Sequence, residues 1–344
     1  MNIALSILDT SPVPTGSTAA QALRNTVTLA QEADRLGYTR YWLAEHHNYA
    51  GAASAVPEIM IGHVARETER IRVGAGGIML PNHAPLKVAE TFRLLETLYP
   101  GRIDLGIGRA PGTDPVTAFA LRRSPAAVNA DEFPDLLAEL LAFSENGFPD
   151  AHPFHTVAAI PSETALPPLF LLGSSDFGAQ VAASLGVGFA FASHINPHGA
   201  ADILRLYRER FVQTGRTEGP HAILTASVVC AETDERADYL ASSIDLAFLK
   251  LRSGRAGKLP SPEEVSSYPY TEPEKMQVRT GRAHHIVGSV ATVMSRLDDM
   301  VERSGADEVM ILTMIHSHAD RIRSYQLLAE AYALHADERV AVPA

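Results

Sequence analysis

Two adjacent histidines, a pair of glycines and a single arginine follow one another in the first third of the chain, each just after an apolar run. His46 and His47 close the stretch Trp-Leu-Ala-Glu-His-His at 42–47; Gly76 and Gly77 lie in Gly-Ala-Gly-Gly-Ile-Met-Leu-Pro at 74–81; Arg109 ends the run Gly-Arg-Ile-Asp-Leu-Gly-Ile-Gly-Arg within 101–112. An imidazole titrates near neutral pH and can move a proton. Adjacent glycines let backbone approach a ligand closely, and a guanidinium fork matches a phosphate. Set at the ends of three successive apolar runs, the motifs look like three walls of one active site.

Such groups need elements to hold them, and the chain supplies a repeating strand-then-helix pattern. Strands are expected at Ile3–Leu8, Tyr41–Glu45, Ile71–Leu80, Ile103–Gly108, Leu169–Leu172, Gly188–Ala192, Ala222–Cys230 and Glu308–Leu312. Helices are expected at Ala19–Leu36, Pro57–Thr68, Pro85–Leu98, Phe133–Phe143, Asp176–Leu185, His198–Thr214, Thr233–Leu249 and Ala319–Ala336. Several of the strands are unbroken apolar runs, as in a parallel sheet covered by helices. Eight units over 344 residues predict an α/β fold, a closed (β/α)₈ TIM barrel forming one domain across 1–344. Barrels of this kind carry their reactive groups where strands give way to loops, which is where all three motifs fall. Residues 113–165 exceed the bare repeat and read as an extended loop after the fourth strand. Residues 250–285 mix Gly, Pro, Ser and charge with little periodicity, and a long loop there reads as a mobile lid.

Composition narrows the partners. The formal charge of −11, from 29 basic and 40 acidic residues, argues against the basic face that nucleic-acid binding requires. Cys230 is the only cysteine, so no internal disulfide forms, and its apolar surroundings predict a buried, inert side chain. The start Met1-Asn2-Ile3-Ala4-Leu5 has no basic region, and no apolar run approaches the ~18 residues of a membrane span. A cytoplasmic protein acting on a small molecule is the expectation.

Trp42–His47, Gly74–Pro81 and Gly101–Gly112, with Pro81-Asn82-His83-Ala84-Pro85 and Leu95-Glu96-Thr97-Leu98 between them, resemble the bacterial luciferase-like flavin-dependent monooxygenases. The resemblance is strongest to the single-chain, non-luminescent members. It covers 1–125 densely and continues through Leu171-Leu172-Gly173-Ser174-Ser175 and the last strand-helix unit.

The resemblance implies reduced-flavin chemistry: FMN, reduced by a separate reductase or by a bound nicotinamide, reacts with O₂ at C4a, and the resulting hydroperoxide oxygenates a small organic substrate. His46 matches the family's catalytic histidine. Gly76 and Gly77 match the small-residue pair that forms a cis peptide beneath the flavin ring. Arg109 matches the phosphate arginine, and Ser174, Ser175 and Gly178 match the second phosphate site, at a helix N-terminus. Gly108 stands where luminescent members carry a reactive cysteine, which argues against luminescent aldehyde oxidation. The family's dimers pair through the helices at Pro57–Thr68 and Pro85–Leu98, so a homodimer is expected.

Outside the motifs, His83, His194, His198, His316 and His318 fall near expected strand ends, where they form either a substrate-contacting ring or solvated loop positions; His194 is the best candidate for substrate. A deazaflavin F420-dependent hydride-transfer enzyme shares the implied barrel and is the main alternative. A non-catalytic flavin-binding protein and a metal-dependent hydrolase, the latter suggested by His316-x-His318, are weaker ones. No metal site is expected.

Overall fold

The computed structural model describes residues 3–124, 132–145 and 147–335. In chain order the elements are β1 (Ala4–Asp9), α1 (Ala19–Leu36), β2 (Arg40–Leu43), α2 (Pro57–Glu67), β3 (Arg72–Ala75), β4 (Ile78–Met79), α3 (Pro85–Leu98), β5 (Ile103–Gly108), α4 (Pro115–Arg122) and α5 (Phe133–Glu145). They continue with β6 (Leu169–Gly173), α6 (Asp176–Leu185), β7 (Gly188–Ala192), α7 (Ala200–Glu209), β8 (Ala222–Ala231), α8 (Asp234–Arg252), α9 (Pro262–Ser266), α10 (Glu272–Arg282), β9 (His285–Ser289), α11 (Val290–Ser304), β10 (Glu308–Leu312) and α12 (His318–Ala331).

All the strand pairings are parallel, and eight strands close a ring in the order β1, β2, β3, β5, β6, β7, β8, β10, with β10 hydrogen-bonded to both β8 and β1. Every residue of β2, β5, β8 and β10 is buried, because helices cover the outside while side chains fill the inside. Helix ends follow local chemistry: Thr18 accepts the Gln21 N–H to start α1, and Gly37 ends it at φ 91°, a conformation that glycine adopts without steric cost.

The inside of the barrel is filled differently at its two ends. At the N-terminal end Arg40 binds Asp104 at 2.9 Å and Glu308 at 3.0 Å, Arg72 reaches Asp104 at 2.7 Å, and the Trp42 indole donates to Asp104 at 3.0 Å. Paired charges so deeply buried must satisfy one another, and this network plugs the floor. Above Trp42 the interior opens toward the C-terminal ends of the strands.

Three local expectations need correction. The run 71–80 is two strands, because the chain breaks at Gly76–Gly77: a Cβ on Gly76 would stand 2.5 Å from Leu8, and one on Gly77 would stand 2.8 Å from the Gly106 carbonyl. Residues 250–285 are not structureless. They carry α9 and α10, each begun by a capping box, Ser261 with Glu264 and Thr271 with Glu274. The third is an unforeseen unit, β9 and α11. The ten-residue β8 pairs with β10 along Ile223–Ser227 and with β9 along Ser227–Ala231, so it extends past the ring. Shorter boundary differences include α7, which begins only after Gly199 at φ 81°. The final helix ends at Ala331; the expected terminus, Ala336, lies outside the described residues. Cys230 is buried, and burial pushes its thiol up to about 12.

Candidate active site

At the C-terminal ends of the barrel strands lies a cavity of about 390 Å³ with mostly apolar walls. His46, Gly76, Gly77, Arg109, Ser174, Ser175, Gly178 and His194 all line it. The strands bring them there from five different turns of the barrel.

His46 follows β2, and its Nδ1 has no hydrogen-bond partner among the described residues. Burial holds this imidazole below its ordinary value; the charge of Glu45 opposes the shift and His47 adds to it. His194, after β7, is pushed down to about 4 by burial, against the pull of the Thr225 carbonyl, and its Nδ1 is likewise unpartnered. At neutral pH both rings are therefore uncharged, each able to accept or donate one proton. Thr10 Oγ1, at the end of β1, is a third unpartnered polar atom on the cavity wall.

Gly76 and Gly77 form the wall between β3 and β4, and the peptide that joins them is cis. Gly108 leaves room for a side chain from elsewhere: a Cβ there would meet the Met79 sulfur at 2.9 Å. Met79 thus fills part of the space beside the arginine.

At one end of the cavity the Arg109 guanidinium stacks on the Phe177 ring, 4.8 Å from its centroid. Phe177 belongs to the first turn of α6, whose cap residue Ser175 is extended and makes no side-chain cap bond. A guanidinium beside a helix N-terminus brings two positive poles together, an arrangement that an anion stabilises. Asp176, exposed in the same turn, offsets part of that field from outside. Gly178 also has a packing role, since a Cβ there would press on Phe189 at 3.3 Å.

The motif contains one further residue that spacing did not single out. Glu45 is fully buried and accepts from His47 Nε2 at 2.7 Å, the Met79 N–H at 2.9 Å and His83 Nε2 at 3.0 Å. Asn82 donates to the Pro111 carbonyl at 3.0 Å, and the His47 N–H donates to Gly112. Glu45 and Asn82 therefore tie the loops after β2, β4 and β5 into one body. Its sequence signal, a carboxylate flanked by apolar residues and a histidine pair, has meaning only once the fold brings His83 to it.

Of the expected ring of histidines, His194 lines the cavity, where it joins His46 of the motif. His83 is taken up by Glu45, His316 Nε2 lies 3.2 Å from Thr15 Oγ1, His198 is exposed, and His318 opens α12. Among the described residues no three His, Cys, Asp or Glu side chains are grouped to hold a metal. No described helix is long and apolar enough to cross a membrane.

Comparison with known proteins agrees with this geometry. A family model described as luciferase-like monooxygenase matches residues 1–308. A protein from Escherichia coli named luciferase-like monooxygenase is 42% identical over 325 residues, covering 94% of this chain and 96% of its own. The N-acetyl-S-alkylcysteine monooxygenase of Bacillus subtilis is 36% identical over 335 residues, 96% of this chain and 98% of its own. Among solved structures, apo-MsnO8 superposes with a TM-score of 0.86 at 38% identity, covering 97% of this chain and 98% of that one. A matching family model over most of the length, full-length relatives and a shared barrel lead to one conclusion: the chain belongs to the luciferase-like monooxygenase family.

Proposed function

We propose that the cavity seats FMN in its reduced form and that the protein oxygenates a small organic substrate with O₂. The observation that carries this reading is the cavity's division of labour: a cationic end, where Arg109 meets the uncapped start of α6, and an apolar chamber edged by three unpartnered polar atoms. A phosphate suits the first, and the polar edge of a flat heterocycle suits the second. Reduced flavin supplies two electrons and activates O₂ at C4a, so that with two protons one oxygen atom goes to substrate and the other leaves as water.

The residues then divide the work. Arg109 and the N–H groups after Ser175 bind phosphate; Gly76 and Gly77 present bare backbone to the ring; His46, neutral at pH 7, takes or returns a proton. Apolar walls exclude water. The Leu259 N–H donates to Val13 and the Leu259 carbonyl accepts from Thr15, both in the loop after β1, which supports a covering role for the segment preceding α9. Two copies pair through α2 and α3, where Ile59 is 71%, Leu94 52% and Leu98 60% exposed. A separate reductase or a bound nicotinamide reduces the flavin, and the protein works in the cytoplasm.

Anaerobic titration with reduced FMN, then mixing with ¹⁸O₂ and a panel that includes N-acetyl-S-alkylcysteines, tests this. Tight binding and ¹⁸O in the product are expected. Hydride transfer from reduced F420 without oxygen uptake would move the protein to the alternative chemistry, and flavin binding without turnover would make it a binding protein.

A further inference from the structure

A second cavity, of about 220 Å³, lies between α8, α10 and the loop after β7. It shares His194, Ile195, Phe248 and Leu251 with the main cavity, so the two compartments meet at one wall. Its lining is chiefly apolar, with Phe248, Leu249 and Val278 contributing.

One residue of the lining carries no side chain. Gly281 sits within α10, where glycine weakens a helix relative to alanine, yet a Cβ there would meet nothing within 4 Å. Packing does not require glycine at this position, and a larger side chain would occupy the chamber that it lines.

The charges around the chamber balance in number, but their pairing is uneven and leaves one cation over among the described residues. Asp245 lies in the wall, but Arg282 Nε holds both its oxygens at 3.0 and 3.1 Å, and the same guanidinium reaches Asp238 at 2.7 Å. Arg252, at the end of α8, also lines the chamber and makes no ion pair or hydrogen bond among the described residues. His284 is also part of the lining.

We propose that this chamber binds the non-reacting arm of the substrate, an apolar arm ending in a carboxylate that Arg252 receives, while the reacting end lies in the main cavity. The proposal rests on the reading of the main cavity as the flavin and reaction site, and it assigns substrate selection to α8 and α10 rather than to the motif loops.

Calorimetric titration with 4-phenylbutyrate and with its neutral isostere 4-phenylbutan-1-ol tests it, on the protein with and without FMN. The acid should bind the parent at least ten-fold more tightly than the alcohol. Gly281→Leu should weaken both ligands ten-fold or more, Gly281→Ala by less than three-fold, and Arg252→Gln should abolish the preference for acid while leaving the alcohol's affinity unchanged. FMN affinity should be the same in all four proteins. Equal affinity of the parent for acid and alcohol, or Gly281→Leu binding the acid as tightly as the parent, would overturn the proposal. If thermal melts show Gly281→Leu to be unfolded, Arg252→Gln decides alone, since retained acid preference there would mean that the arginine serves only the helix end. Failure of the parent to bind FMN would sink the flavin reading instead, with the chamber still readable from the titrations without FMN.

Discussion

One imidazole nitrogen, His83 Nε2, stands 3.0 Å from each carboxylate oxygen of Glu45, and this contact joins the loop after β4 to the loop that carries His46. Burial opposes the charge on His83, but the hydrogen bond and the charge of Glu45 raise its affinity for a proton above the ordinary 6.5. Burial likewise raises Glu45, and the bonds from His83, Met79 and His47 more than offset it, leaving the carboxyl below 4.5. A raised histidine contributes stability fully below pH 6.5 and loses it as pH climbs through the folded value; a depressed carboxyl contributes above 4.5 and loses it as pH falls through its own. The clamp is therefore strongest between about 4.5 and 6.5. His83→Gln should cost about 1 kcal/mol at the centre of that window, a value reduced for the partial exposure of His83, and almost nothing at pH 9. Thermal melts of both proteins across pH 4–9 check it; a constant offset would mean that charge plays no part.

Arg109 should matter to phosphate and not to the flavin ring. Arg109→Ala is expected to weaken FMN by about 1.5–3 kcal/mol, the range for a charge-assisted hydrogen bond, and to leave riboflavin nearly unaffected. Fluorescence titration with the two ligands separates them. Equal losses would place the arginine's role elsewhere.

His46→Ala should hold reduced-FMN affinity within a few-fold while slowing turnover by about 10²–10⁴. Because burial lowers the histidine's proton affinity, the acid limb of the parent's rate profile should fall below pH 6.5 and should vanish in the variant. An unchanged rate on a turned-over substrate would remove His46 from the mechanism.

Assembly gives a prediction independent of flavin. Light scattering at micromolar concentration should report twice the chain mass of 37.0 kDa. The double change Ile59→Glu with Leu98→Glu should return it to one copy, since four charges, two from each copy, would be buried without partners at a two-fold interface. A monomeric parent would end the dimer proposal.

The eight barrel strands are legible in the sequence because strands buried on both faces are mainly apolar, with Arg40, Asp104 and Glu308 the buried exceptions that pair with one another, and turn residues bracket them. The gap at Gly76–Gly77 is hidden, since the flanking residues stay apolar on both sides of the break. β9 is hidden for the opposite reason: His-Ile-Val-Gly-Ser at 285–289 is short and half polar, and it adjoins the charged segment that ends in Arg282. His46 and Arg109 announce themselves by local motif. The contact of Glu45 with His83, and the placing of His46 and His194 in one cavity, are made across the fold, and nothing within a short window of sequence encodes them.

The length of β8 has a consequence for how such a protein can change. Its first half belongs to the ring and its second half, with β9, forms a shelf outside it, from which α8, α9 and α10 depart and to which the chain returns. Residues 232–284 are thus a cassette anchored at both ends by one short parallel ladder, whereas the phosphate and ring contacts proposed for the flavin lie earlier in the chain. Exchanging that cassette would leave every hydrogen bond of the closed ring intact, so, on the function proposed above, rewriting a single contiguous stretch would change which molecules enter while the flavin contacts stay.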